Sequence, residues 1–140
     1  MSKEKKKPML VGVHRGGGMP PGYKWTIFLF PQLKDEAMQF LTGPQYRHVA
    51  SQYQDLARQT DPAHPSLKIV DVRPIEEYFE LRDKGGVLGK INFRGYFYLD
   101  KEKKRIVVLG ADKKERENQT SQAIKERMQF RLRQYLTSHR

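Results

Sequence analysis

The apolar positions in the first half of the chain change from a strand-like run to helical spacing at Pro31. Residues 24–30 predict a strand, because they are rich in aromatic and β-branched side chains and end at this proline. Two helices are expected next, with Gly43 as the C′ residue of the first and Pro44 opening the second. We expect them to pack as a hairpin, and the second has an apolar stripe made of Tyr46, Val49, Ala50, Tyr53, Leu56 and Ala57.

Strand patterns dominate the second half. Residues 67–72 and 78–82 are strand-like and are interrupted by Pro74, so we count them as one broken strand. Over residues 91–99 apolar and polar positions alternate, which is typical of a strand with two different faces. One face would carry Ile91, Phe93, Phe97 and Leu99, and the other Asn92, Arg94, Tyr96 and Tyr98.

The remaining elements follow from three shorter patterns. The charged residues 100–105 predict a hairpin turn, and the continuous apolar run 106–109 predicts a central strand. A last helix is expected from about Ser121, because apolar residues recur there at helical spacing. Residues 9–13 form a further candidate strand near the N-terminus.

The predicted order is therefore β, α, α, β, β, β, α, which indicates an α+β fold. We expect a twisted, mainly antiparallel sheet with the helical pair on one side and a C-terminal helix. A length of 140 residues suits one core. The prediction divides the chain into a basic, disordered tail over residues 1–8 and a single domain over residues 9–140.

The net charge of +11 is unevenly distributed along the chain. Residues 82–140 contain 16 Lys and Arg against seven Asp and Glu, a net of +9, whereas residues 8–81 have a net of −1. A one-sided positive charge attracts nucleic acid or an acidic protein. The alternative interpretation is that the charge serves solubility alone.

Other composition features narrow the function classes. The absence of cysteine excludes disulfides, thiolate metal sites and cysteine nucleophiles. No apolar run approaches the roughly 20 residues of a membrane helix, and the basic N-terminus lacks the apolar segment of a secretory signal. We therefore expect a cytoplasmic protein. The four histidines are scattered without metal-ligand spacing, so no metal site is predicted.

The candidate chemistry lies in the basic second half. Arg82 ends one predicted strand, Arg94 shares a face of the next with Tyr96 and Tyr98, and Lys113, Lys114 and Arg116 follow the third. If these strands are neighbours, the cations would converge beside aromatic rings, as in proteins that hold phosphates and stack on RNA bases. The alternative is that the tyrosines cover the sheet beneath a helix while the charges face water.

Three stretches together resemble a known family: ELRDKGG, INFRGYFYLDKEKKRIVVLGADKKE and QAIKERMQFRLRQYL. They resemble the C-terminal half of the RelE/HigB superfamily of toxins over roughly residues 75–136. The resemblance implies a RelE-like fold, an RNA endonuclease that needs no metal or cofactor, and a cognate antitoxin protein as partner. It assigns phosphate contact to Arg94 and further cationic roles to Arg82, Lys113 and Lys114.

The sequence also departs from the family pattern. RelE has lysines where this chain has Tyr78 and Glu80, and a tyrosine where this chain has Thr120. The Lys-Lys pair followed by Gln-Thr is closer to the HigB-like and phage-associated branch. A lysine with an ordinary pKa of about 10.4 acts as a base only when neighbouring cations depress that pKa.

These observations lead to one principal hypothesis and two alternatives. The principal one is a toxin-type mRNA endonuclease that acts on free RNA or on the ribosome. Its expected catalytic residues are Arg82, Arg94, Lys113 and Lys114, and its expected RNA contacts are Lys90, Tyr96, Tyr98, Arg116 and Thr120. The alternatives are a non-catalytic RNA- or ribosome-binding protein of the same fold, and a phage or mobile-element regulator.

Overall fold

A computed structural model describes residues 9–11, 21–68, 70–84, 86–114 and 121–138. The predicted tail over residues 1–8 and two expected RNA contacts, Arg116 and Thr120, lie outside the described residues. In chain order, the elements are β1 (Met9–Val11), β2 (Thr26–Leu29), α1 (Gln32–Met38), α2 (Gly43–Ala57), β3 (Val70–Pro74), β4 (Phe79–Asp83), β5 (Phe93–Asp100), β6 (Arg105–Lys113) and α3 (Gln122–Ser138).

The strands form one sheet in the order β1-β2-β6-β5-β4-β3. All neighbouring pairs are antiparallel except β2 and β6, which run parallel. The α+β prediction is confirmed, as are the mostly antiparallel sheet, the central place of β6 and the C-terminal helix. None of the described helices is both long and apolar enough to cross a lipid bilayer.

Two sequence predictions about element boundaries are wrong. Residues 67–82 do not form one broken strand but a hairpin, in which β3 and β4 pair antiparallel and Pro74 ends β3 at the sheet edge. A proline is tolerated there because an edge strand leaves one side of its backbone unpaired. Gly43 does not end α1 but begins α2, since Thr42 and Gln45 form a reciprocal capping box around it.

The sheet buries both of its faces. Helices α1 and α2 cover one face, where the core includes Leu33, Tyr53, Leu56, Phe93 and Phe97. Helix α3 covers the other, where the core includes Phe28, Tyr78, Tyr96, Met128 and Tyr135. The alternation of β5 therefore separates two buried faces, rather than a buried face from an exposed one.

A β-bulge in β6 changes which of its residues face α3. Phe97 pairs with Val108 and Tyr96 pairs with Gly110, so Leu109 is an extra residue on β6. Leu109 packs in the core beneath α3, and a side chain at Gly110 would also meet α3. From the bulge onward the even-numbered residues of β6 lie on the α3 side, which puts Asp112 there.

Beyond the bulge, helix α1 takes the place of a strand beside β6. Strand β2 pairs with β6 only as far as Val108, and α1 then lies against the rest of β6. Arg131 of α3 donates a hydrogen bond to the Leu109 carbonyl at 2.8 Å and another to Glu36 of α1 at 2.9 Å. One buried guanidinium thus joins both helices to the bulge.

Gly95 is required where α2 crosses β5. A Cβ at this position would overlap the Tyr53 hydroxyl and come within 3.2 Å of a Phe93 ring carbon. Because Tyr53 is buried and cannot easily move, we expect Gly95→Ala to lower the free energy of unfolding by about 1–3 kcal/mol. Urea denaturation followed by circular dichroism would measure the change.

Two further variants test the cause of that loss. Gly43→Ala makes the same exchange in the first turn of α2, where the nearest atom is 3.5 Å away, and should not destabilise the fold. Adding Tyr53→Phe to Gly95→Ala removes the overlapping hydroxyl and should recover part of the stability. Equal stability of Gly95→Ala and wild type would contradict the close packing described here.

Candidate functional site

A carboxylate in β4 lies at the centre of a group of cations on the α3 side of the sheet. The Glu80 side chain is fully buried, and its Oε1 lies 2.9 Å from Arg94 Nε in an ion pair. Its Oε2 accepts from Arg82 Nη2 at 3.1 Å and from Arg82 Nε at 3.3 Å. The Lys114 ammonium lies 3.6 Å from Oε1. We call Arg82, Arg94 and Lys114, gathered around Glu80, the cation cluster.

Strand alternation and register bring these residues together. Glu80 and Arg82 are two residues apart on β4 and therefore share a face. Arg82 pairs directly with Arg94 of β5, which leaves Glu80 diagonal to Arg94 and within reach of its long side chain. Lys114 continues the ladder beyond β6, because its N–H donates to the Asn92 carbonyl at 3.0 Å.

The cation cluster has two more positive charges than Glu80 neutralises. Burial lowers the pKa of Arg94, and neighbouring Arg82 lowers it further. Burial also lowers the pKa of Lys114, and Arg94 acts in the same direction while Glu80 opposes it. Such shifts show that the cations repel one another in a region of reduced solvation. A second anion, such as a phosphate, would relieve that repulsion.

Exposure within the cation cluster is uneven. The side chains of Lys114 and Arg94 are 5% and 9% exposed, whereas that of Arg82 is 20% exposed. Arg94 also donates from Nη1 to the Phe93 carbonyl at 3.1 Å, which fixes the plane of its guanidinium. Solvent therefore reaches the cluster mainly at Arg82, and the two more buried cations are held in place behind it.

The structure brings together three of the four residues expected to be catalytic. Lys113 is the exception: it is exposed and pairs across the sheet with Phe93, whose ring lies in the core on the α1 and α2 side. Lys90 is also exposed, in the turn between β4 and β5. Consecutive residues of a strand face opposite sides, so Lys113 does not join Lys114 in the cation cluster.

The aromatic residues expected to stack on bases are covered by α3. Tyr96 has no exposed surface and packs edge to face against Tyr78, with ring centroids 6.2 Å apart. Tyr98 is half-buried against Tyr135 of α3, at a centroid distance of 6.3 Å. The Tyr96 ring therefore has no surface to offer to a base, and Tyr98 has only part of its surface exposed.

Sequence reasoning missed Glu80 as a member of the site. Its signal was present, because a carboxylate two residues before Arg82 on a strand must share that arginine's face. Tyr78 is the next residue on this face, and burial, together with Glu76 and Glu80, raises its pKa to about 12. Tyr78 thus borders the site as a neutral phenol.

A second polar contact lies on the opposite face. His48 Nε2 of α2 is 3.0 Å from Asp83 Oδ1 at the end of β4, and the Gln52 amide donates to the same oxygen. Asp83 is almost completely buried, so these contacts hold α2 against the sheet. Within the part of the chain that the structure describes, no group of three or more His, Asp and Glu side chains is placed to hold a metal ion.

Comparisons with known proteins do not identify a family. No family model, curated protein or solved structure matches this chain.

Proposed function

We propose that this chain is a toxin-type RNA endonuclease with a RelE-like fold. The observation that carries the proposal is the cation cluster: Arg82, Arg94 and Lys114 surround one buried carboxylate and retain an excess of positive charge. The sequence resemblance assigns cationic roles to the same three residues. On this proposal a cognate antitoxin would bring carboxylates of its own to Arg94 and Lys114.

The chemistry of RNA cleavage uses such cations in two ways. The ribose 2′-oxygen attacks the adjacent phosphorus, and negative charge grows on the phosphoryl oxygens as the bond to the 5′-oxygen breaks. Arg82 and Arg94 would hold those oxygens. The lowered pKa of Lys114 makes its ammonium a stronger acid, which suits protonation of the departing 5′-oxygen. No step in this scheme calls for a metal ion.

The direct test is cleavage of a defined RNA by the purified protein, with and without ribosomes. We expect products ending in a 2′,3′-cyclic phosphate and a 5′-hydroxyl, and growth arrest when the protein is expressed. Wild type that binds RNA but neither cleaves it nor arrests growth would contradict the enzyme proposal.

A non-catalytic RNA-binding protein is the second candidate. It is favoured by one observation: the cations of the cluster already contact Glu80, and two of them are nearly buried. A protein that only binds RNA would use the wider positive charge of the second half, including the exposed Arg127 and Arg133 of α3. The cleavage assay separates the two functions, because only the enzyme generates cyclic phosphate ends.

Both candidates predict RNA affinity that falls steeply with salt. Each phosphate neutralised on a single strand contributes a slope of about −0.7 in log affinity against log salt concentration. We expect Arg82→Gln, at the most exposed cation of the cluster, to make the slope shallower by roughly that amount. Fluorescence anisotropy with a labelled RNA at several salt concentrations would measure both slopes. Affinity that does not change with salt would contradict the polyanion proposal.

A further inference from the structure

Asp112 is a second carboxylate next to the cation cluster. It pairs directly with Arg94, which in turn pairs with Arg82, so these three residues form one row across β6, β5 and β4. Lys114 lies two positions further along the same face. Unlike Glu80, Asp112 is only half-buried, so solvent and ligands can reach it.

Charged groups from four elements act on Asp112. Burial is the largest influence and raises its pKa above the ordinary value of 3.8. Lys114 and Arg127 of α3 lower the pKa, as does a hydrogen bond from the Lys113 backbone, while Glu36 of α1 raises it. Arg94 faces it from β5. The net effect is a carboxylate that holds a proton more strongly than an ordinary aspartate.

We propose that Asp112 is the proton acceptor for the attacking 2′-hydroxyl, an assignment that rests on the proposed endonuclease function. The proton moves from the 2′-oxygen to the Asp112 carboxylate, and the 2′-oxygen forms a bond to phosphorus. The bond from phosphorus to the 5′-oxygen breaks, and that oxygen takes a proton from the Lys114 ammonium. The products are a 2′,3′-cyclic phosphate and a 5′-hydroxyl, and no oxidant, reductant or further reactant is consumed.

Asp112 suits this role better than the other basic groups of the site. Glu80 is fully buried and contacts the three cations of the cluster, so accepting a proton would break those contacts. Lys114 lies against a carboxylate and is needed as an acid. Lys113 lies on the other side of the sheet. Asp112 combines a place beside Arg94 with partial access to solvent.

The test compares Asp112→Asn with wild type and with Glu102→Gln, a matched loss of one carboxylate in the exposed turn between β5 and β6. Loss of a general base lowers the rate by about 100-fold to 10,000-fold. We expect a loss in that range for Asp112→Asn in single-turnover cleavage, with RNA affinity unchanged or higher because one negative charge is gone. In wild type the rate should rise with pH through the Asp112 pKa, and this acidic limb should vanish in Asp112→Asn.

Thermal stability separates a proton acceptor from a structural residue. A carboxyl group with a raised pKa in the folded protein favours folding below its unfolded pKa, and that contribution is lost as pH rises through the folded value. Asp112→Asn should therefore have a higher melting temperature than wild type at neutral pH, and the difference should shrink as pH falls through the raised folded pKa and be absent well below 3.8.

The outcomes separate this assignment from the proposed function. If wild type cleaves RNA and Asp112→Asn cleaves it with the same rate and acidic limb, the assignment of Asp112 is wrong while the endonuclease stands. If Asp112→Asn loses cleavage and also has a lower melting temperature than wild type, Asp112 has a structural role, and its assignment as proton acceptor is wrong. If wild type does not cleave RNA at all, the proposed function fails and this inference fails with it.

Discussion

Replacing Glu80 with glutamine is expected to lower the free energy of unfolding by about 3–5 kcal/mol. The change keeps the size of the side chain but removes the negative charge that Arg82, Arg94 and Lys114 share. Breaking a buried ion pair from one side has a large cost because the charge left behind is neither paired nor fully hydrated. Urea denaturation would measure this loss. The control is Glu77→Gln, which makes the same exchange at an exposed position near the same strand and should leave the free energy of unfolding unchanged.

An added anion should distinguish electrostatics from packing in that variant. Without Glu80 the three cations of the cluster lose the carboxylate that they share, so inorganic phosphate should raise the melting temperature of Glu80→Gln more than that of wild type or Glu77→Gln. Equal stability of Glu80→Gln and wild type would contradict the view that this carboxylate organises the cluster. Instability that phosphate does not relieve would show that the site does not hold phosphate.

Replacing Arg94 with alanine is expected to lower the rate of RNA cleavage by about 100-fold to 1,000-fold. Losses of that size accompany removal of a preorganised group that stabilises charge in the transition state. The Arg94 guanidinium is preorganised here by Glu80 on one side and the Phe93 carbonyl on the other. Single-turnover cleavage with saturating protein would measure the chemical step apart from binding.

The control for this prediction is Lys101→Ala. Lys101 is exposed in the turn between β5 and β6, at the end of this hairpin that lies away from the cation cluster. The substitution therefore removes one positive charge, as Arg94→Ala does, but far from the cluster. It should weaken RNA binding slightly and leave the chemical step intact. Because Arg94→Ala also removes a partner of Glu80, its melting temperature must be measured and the assay run well below it. Equal loss of cleavage in both variants would mean that the charge acts only as a diffuse field.

The sequence predicted all three cations of the cluster, and for Arg82 and Arg94 the prediction has a sound physical reason. Alternation along β4 and β5 puts Arg82 and Arg94 on definite faces, and their antiparallel pairing follows once the strands are neighbours. The choice between Lys113 and Lys114 could not be made in this way. Because of the bulge at Leu109, every later residue of β6 points to the opposite face from the one that simple alternation predicts. Nothing in the apolar run 106–109 marks the position of the bulge.

Burial was the other quantity that the sequence did not reveal. The alternation of β5 correctly places Phe97 and Tyr96 on opposite faces of the sheet. It does not reveal that helices cover both of these faces. Tyr96 was therefore expected at an RNA-binding surface, although it lies beneath α3. Glu80 was noted only as a departure from the family lysines. Its role depends on the register with Arg94, which a single sequence does not supply.

The place of α1 beside β6 has a consequence for how copies of this protein behave toward one another. A strand whose backbone N–H and C=O groups lack a neighbour is a template for pairing with another chain, and proteins prevent this by covering the edge. Beyond Val108, β6 would present such an edge if α1 did not lie against it and if Arg131 did not occupy the Leu109 carbonyl. Helix α1 thus covers an edge that would otherwise be open to a second molecule, and we expect a change that detaches α1 to favour pairing between copies along the residues of β6 that follow Val108.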